Sequence, residues 1–291
     1  MAMHELRNGT RILAVALASV IVTTAMPAAV AESALERITR EKVMRVGVAN
    51  EPPYGYQSAD GRITGEAPEI ARKILAKIDP NSKVEGVVTQ FDRLIEDLQS
   101  GKIDVIAAGM YITPERCEQV AFTNPTYKVG EAFVVKAGNP KKLTDFATVA
   151  RQSDARLAVM AGAVEYGYAY EADVYIDQVS VFPDYAAAIA ALEGGQVDAI
   201  AMTALTAKTL VENTKSDNIE STSQFFPEID GKSVAGYGAF AFRTEDADLV
   251  DAFNQQLATF IGSEAHLEIV NDFGFLPANL PDSTAEALCG G

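Results

Sequence analysis

Arg116 stands in the stretch "GMYITPERCEQVAFTNP" (109–125), a few residues after a run that reads as a buried strand. In "TPER", Thr113 has N-cap chemistry and Pro114 suits the first helical position. A guanidinium held there can grip a carboxylate through two parallel hydrogen bonds. An arginine paired with a neighbouring surface acid is the other reading. Glu51, Tyr54 and Tyr56 lie in "NEPPYGY" (50–56), where two prolines stop both helix and sheet. Tyrosines in so stiff a loop suit a ligand wall, and a ring packed on the next helix is the alternative, stronger for Tyr56. Phe91 follows "VVTQ" directly and Tyr111 follows the strand "IDVIAAGM". With Tyr54 they make three aromatics, each just beyond a strand's carboxyl end. Around a cation each would contribute roughly 0.5–2 kcal/mol. Glu165 holds the matching place in the second half, in "AGAVEYGY" (161–168). A helix opening at "GAVE" would present backbone N–H groups from Gly162 to Val164 to a carboxylate, while the Glu165 side chain favours a cation. Alternatively, Glu165 only steadies its own helix dipole.

Other chemistries are thin. Beyond residue 31 the chain has one histidine, His266, which removes His-rich metal sites and most Ser-His or Cys-His nucleophile pairs. No phosphate loop and no dinucleotide fingerprint occur. Enzyme chemistry would rest on carboxylates and tyrosines, and neither a cofactor nor a metal is expected.

The first residues read as an export leader: Arg7 and Arg11, the apolar run "ILAVALASVIV", then "AVA" at 29–31, predicting cleavage after Ala31. The run is too short to span a bilayer as a helix. Removing residues 1–31 takes away Arg7, Arg11 and Glu5 and moves the net charge from −16 to −17. So acidic a chain disfavours nucleic acid and anionic membranes, and any anionic ligand group needs a locally placed cation. Export permits a bridge between the two cysteines, Cys117 and Cys289, if the tail folds back. Two free thiols are the alternative.

The elements that would position these residues repeat. "RVGVANEPPYGY" (45–56) echoes "RLAVMAGAVEYGY" (156–168), and "LIEDLQSGKIDVIAAGM" (94–110) echoes "AIAALEGGQVDAIAMTA" (188–204). The pairs recur in order about a hundred residues apart, a spacing for two similar domains. Strand runs alternate with helical patterns, so each half is an α/β sheet. "GEAFVVKAGN" (130–139) and "YGAFAFRTED" (237–246) read as the two crossings between halves, with the last helices returning to the first. Two lobes joined by two extended strands enclose a cleft lined by loops at the carboxyl ends of the strands.

From about residue 40 to 278 this pattern resembles the amino-acid-type solute-binding proteins of ABC importers (family 3). The combination Gly101, Asp104, Thr113, Arg116, Phe122, Pro125 and Tyr127 carries the likeness, with one extra residue before the tyrosine. The resemblance implies a two-lobe type II periplasmic binding protein in which Arg116 holds a ligand carboxylate. It also implies an aspartate for an α-ammonium a few residues after the second "VDA", where this chain has Thr203. That departure puts an ordinary amino acid in doubt. "NEPPYGY", "GEAPEIA" and "AAGMYITPERCEQVAF" are most similar to the ectoine/hydroxyectoine-binding members. Ectoine is a cyclic amidinium carboxylate: Arg116 would take its carboxylate, Glu51 with Glu165 its N–H groups, and Tyr54, Phe91 and Tyr111 would stack on the flat cation.

The expectation is therefore a monomeric periplasmic binding protein that presents a small zwitterion to an inner-membrane ABC permease. Its first lobe is expected at 32–135 plus 238–278, its second at 136–237, and its tail at 279–291. A binder of a polar or basic amino acid is the nearest rival. An enzyme on the same fold, a dehydratase with Glu51 or Glu165 as general acid, is the rival of another class, and it predicts turnover and a carboxyl pKa raised by burial.

Overall fold

The computed structural model describes, beside Met1, residues 32–229 and 231–290. The expected leader and its cleavage after Ala31 lie outside them. Two five-stranded sheets form the framework. The first runs Lys83–Val88, Val43–Val48, Val105–Ile106, Ala241–Phe242, Ala121–Phe122. The second runs Val179–Phe182, Leu157–Met160, Ala199–Thr203, Glu131–Lys136, Ile219–Ser221. In both, the first three strands are parallel and the fourth antiparallel. The repeated sequence segments thus take equivalent places in two sheets of one topology.

Each strand's composition explains its place. Glu131–Val135 and Ala199–Thr203 are buried along their whole length, as strands covered by helices on both faces must be. Helix Glu66–Ile78 buries Ala67, Ile70, Ala71, Ile74 and Leu75, a stripe at helical spacing that packs onto the first sheet. Helix Ala247–Phe260 returns to the same core through Leu249, Phe253 and Leu257, with Phe253 set edge-on against Phe240 and Phe242.

The second sheet begins at Glu131, earlier than the boundary expected at 136. "EAFVVK" is its fourth strand, with Val135 opposite Ala199 and Glu131 opposite Thr203. An unbroken apolar run needs two covered faces, which a free crossing lacks. The crossing is instead Tyr127–Val129, paired antiparallel with the returning Gly236–Gly238. Small residues are required there: a Cβ on Gly236 would fall 1.9 Å from the Tyr111 ring, and one on Gly238 2.1 Å from that of Tyr127.

The tail folds back onto the first lobe and closes a Cys117–Cys289 disulfide, with Cα atoms 5.8 Å apart. Ala285 N–H donates to Asn124 Oδ1 at 3.1 Å, and Asn279 Nδ2 to the Lys128 carbonyl at 3.0 Å. Asp282 accepts from Lys128 Nζ and from Tyr237 Oη, one residue in each crossing strand.

Cross-linking residues 172 apart removes much unfolded-state freedom, a contribution of about 2–5 kcal/mol. Cys289→Ser is expected to lower the unfolding free energy by about that amount in urea titrations under non-reducing conditions. An unchanged midpoint would show that the bridge adds nothing to stability.

Candidate ligand-binding cleft

Thr113 caps the short helix Pro114–Cys117 by accepting from Arg116 N–H at 3.3 Å. The turn directs the Arg116 side chain inward, where Nη1 donates to the Tyr111 carbonyl at 2.8 Å and Nη2 to the Gly162 carbonyl at 2.9 Å. The second bond joins the two lobes. The guanidinium lies 5.6 Å from the Phe91 ring centre. Burial lowers its pKa, opposed by Glu165, yet a guanidinium stays protonated at any physiological pH.

The acids gather opposite. Glu51 sits in a tight turn, its N–H donating to the Gly55 carbonyl, and its Oε1 accepts from Thr206 Oγ1 at 2.8 Å. Thr206 Oγ1 accepts from Thr203 Oγ1 at 3.0 Å, and Thr203 accepts from Tyr54 Oη at 2.9 Å. This hydroxyl chain leaves the first lobe at Tyr54, passes through two threonines of the second and returns at Glu51. Thr203 also caps helix Ala204–Thr214, so its position is set by the backbone.

Burial pushes the Glu51 carboxyl up to about 8, with the Thr206 bond pulling the other way and Glu165 adding to the rise. Burial lifts Glu165 to about 7 against its backbone hydrogen bond and the Arg116 charge. Glu131, fully buried beside Glu165, is held well above the carboxylate range by burial and then by the Glu165 charge. Three carboxyls and one guanidinium thus share the space.

A hollow of about 20 Å³, room for about one water in this arrangement of the lobes, lies among them. Glu51, Phe91, Tyr111 and Arg116 line it from the first lobe, and Val164, Glu165 and Thr203 from the second. The convergence expected from the loops after the strands is therefore present. Gly162 stands just outside, φ +76°, presenting its carbonyl to Arg116; a Cβ there would come within 2.9 Å of Asp92 Cα in the other lobe. The Tyr54 ring is not at the hollow. It is stacked on Tyr127 at 5.0 Å and edge-on to Phe275 at 5.7 Å, and only its hydroxyl reaches the cleft. Gly109 allows this, since a Cβ there would lie 2.5 Å from the Tyr54 ring.

Sequence reasoning missed three residues. Met160 and Tyr185 line the hollow from the second lobe, and Glu131 lies behind Glu165. Glu131 left one signal, an acid at the head of a wholly apolar strand. Tyr185 opens an alanine-rich helix and carried no distinguishing mark. Among the described residues no cluster of three or more His, Cys, Asp or Glu is arranged to hold a metal, and no helix is long and apolar enough to cross a membrane.

Comparison with known proteins places this geometry. The family described as bacterial extracellular solute-binding proteins, family 3, matches residues 44–275. A probable amino-acid ABC transporter periplasmic-binding protein, y4tE, of Sinorhizobium fredii is 36% identical over 261 residues, covering 88% of this chain and 85% of the relative. A probable histidine-binding protein of Campylobacter jejuni is 30% identical over 215 residues, 73% of this chain and 77% of the relative. Among solved structures, EhuB in complex with hydroxyectoine aligns with a TM-score of 0.79 at 32% identity, covering 88% of this chain and 98% of that one.

Glu66, fully buried behind Tyr54, allows a test of these electrostatics that does not depend on lobe closure. Burial raises its carboxyl from 4.5 to about 8, with only Thr126 to offset it. The native state therefore holds a proton that the unfolded chain releases, and stability falls as pH rises between those values. Glu66→Gln is expected to make the decline of melting temperature from pH 5 to pH 8.5 shallower and to raise stability at the alkaline end. An equally steep decline would place the Glu66 pKa in the ordinary range.

Proposed function

This chain belongs to the bacterial extracellular solute-binding proteins of family 3 and is the substrate-binding component of an amino-acid-type ABC transporter; from that premise we propose that its ligand is ectoine or hydroxyectoine. The observation that carries the reading is the charge of the hollow. Glu51 and Glu165 face a single guanidinium, Arg116, and Thr203 contributes a hydroxyl already tied to Tyr54 and Thr206. A ligand that fits has one carboxylate for Arg116 and a cation spread over more than one N–H, able to engage two carboxylates at once. A cyclic amidinium carboxylate has both. Phe91, Tyr111 and Tyr185 offer rings to its flat face, and the likeness to EhuB supports the same choice.

In this reading the first lobe comprises 32–126 with 239–290 and the second 131–235, joined by the paired crossing strands. The protein works as a monomer in the periplasm and presents its closed form to a permease. A ligand touching both lobes shifts the population toward that form by its differential affinity for it.

Two rivals each have one observation in their favour. A basic amino acid is favoured by the third buried acid, Glu131, and by the amino-acid names of the sequence relatives. A dehydratase-like enzyme is favoured by the raised carboxyl pKa values, although burial without a bound cation accounts for both.

Isothermal titration with ectoine, hydroxyectoine, arginine, glutamine and glycine betaine separates the rivals, and recovery of unchanged ligand afterwards tests the enzyme. Tight ectoine or hydroxyectoine binding is expected. Arg116→Ala leaves the ligand carboxylate unpaired, at a cost of about 2–5 kcal/mol, roughly thirtyfold or more in affinity. Tight arginine binding with no heat from ectoine would overturn the ligand assignment.

Gly162→Ala probes closure separately. Its methyl group meets the Asp92 backbone only when the lobes approach, an overpacking cost of about 1–3 kcal/mol. Affinity for ectoine should fall roughly tenfold, beside a loss of about 1–2 kcal/mol in urea unfolding from an alanine at φ +76°. Full affinity would mean that the lobes close along another path.

A further inference from the structure

Four buried polar atoms at the back of the hollow have no hydrogen-bond partner: Tyr111 Oη, both carboxyl oxygens of Glu131, and Glu165 Oε2. They belong to one cluster, in which Glu131 neighbours both Tyr111 and Glu165. Glu131 is 0% exposed, Glu165 2% and Tyr111 4%. The Glu131 backbone is fixed as well, its N–H donating to the Phe225 carbonyl and its carbonyl accepting from Phe225 N–H, both at 2.8 Å. Its side chain is thereby held away from water, at the point where the chain leaves the crossing strand and enters the second sheet.

We propose that Glu131 keeps a proton and donates it in a hydrogen bond to Glu165 Oε2, which aims the Glu165 carboxylate at the ligand's cation. One proton gives the pair its missing donor and satisfies Glu165 Oε2 together with one Glu131 oxygen. Two adjacent carboxylates in a dry site cannot both ionise, and the asymmetry between them decides which holds the proton. Arg116 favours charge on Glu165. Glu131 instead faces Glu165 and, further off, Glu51, with Tyr111 and Tyr168 as its neutral neighbours. Glu131 is thus a positioning residue that acts on the ligand through Glu165.

The inference rests on the reading of the cleft as a site for a small zwitterion, and it narrows the class. With Glu131 neutral, two carboxylates are left to share one delocalised cation while Arg116 takes the ligand's carboxylate. An ionised Glu131 would add a third negative charge and suit a ligand with two cationic groups, such as arginine.

Infrared difference spectroscopy on the ligand-free protein, wild type minus Glu131→Gln, should show the carbonyl band of a protonated carboxyl, persisting at a pH where Glu51 has ionised. Absence of that band overturns the proposal. Titration with ectoine adds a functional arm. Glu131→Ala strips Glu165 of its donor and should weaken binding about tenfold or more. The Glu131→Gln amide can still donate to Glu165, and it should restore affinity to within about threefold. Equal losses in the two variants would overturn the bond to Glu165. Wild-type silence toward ectoine would sink the ligand reading alone, because the infrared band is read without ligand.

Discussion

The cleft is organised around a shortage of positive charge. Glu51, Glu131 and Glu165 are buried with Arg116 as the one cation lining the hollow, and removing an ion from water costs several kcal/mol unless something pairs it. With no ligand, the acids respond by holding protons. In the proposed reading a bound cation lets Glu51 and Glu165 ionise while Glu131 keeps its proton, so two groups that resist burial when alone reward closure around that ligand. Arg116 sets the orientation, since its fork accepts only an anionic group on its side of the hollow. In the proposed reading, selectivity arises from the distance between two ends of opposite sign and from the flatness that Phe91 and Tyr111 demand between them.

Closure depends on few direct contacts between lobes. The Arg116 bond to Gly162 and the hydroxyl chain from Tyr54 to Glu51 are the polar ones described above. Each is a neutral or singly charged hydrogen bond, worth about 0.5–3 kcal/mol net. So modest a set leaves the balance between open and closed forms within reach of a ligand's differential affinity. The paired crossing strands permit the motion without loosening it, because their glycines seat the rings of Tyr111 and Tyr127 directly against the backbone.

Much of this was legible in the sequence because topology did the work. A loop after a strand's carboxyl end must open on the cleft, and that rule located Arg116, Glu51, Phe91, Tyr111 and Glu165 without any knowledge of distance. It failed where packing decides. The Tyr54 ring turned inward because Gly109 and the Tyr127–Phe275 pair left it a slot, and nothing local to "NEPPYGY" reveals such a slot. Glu131 was overlooked because its strand was taken for a crossing. An acid in a crossing is unremarkable, whereas an acid inside a doubly covered sheet needs a partner. Tyr185 looked like any aromatic at a helix start. The disulfide stayed open for a similar reason, since spacing alone did not reveal that the tail returns to Asn124 and Lys128.

The connectivity of the first sheet constrains how the protein assembles. Its fourth strand, Ala241–Phe242, separates Val105–Ile106 from Ala121–Phe122, so an edge strand made early must wait beside a gap until a strand made about 120 residues later arrives. The second sheet is continuous from Glu131 to Ser221 and faces no such delay. Cys117 likewise remains an unpaired thiol until Cys289 arrives. Loss of the segment that carries Cys289 would leave a reactive sulfur in the residue next to Arg116.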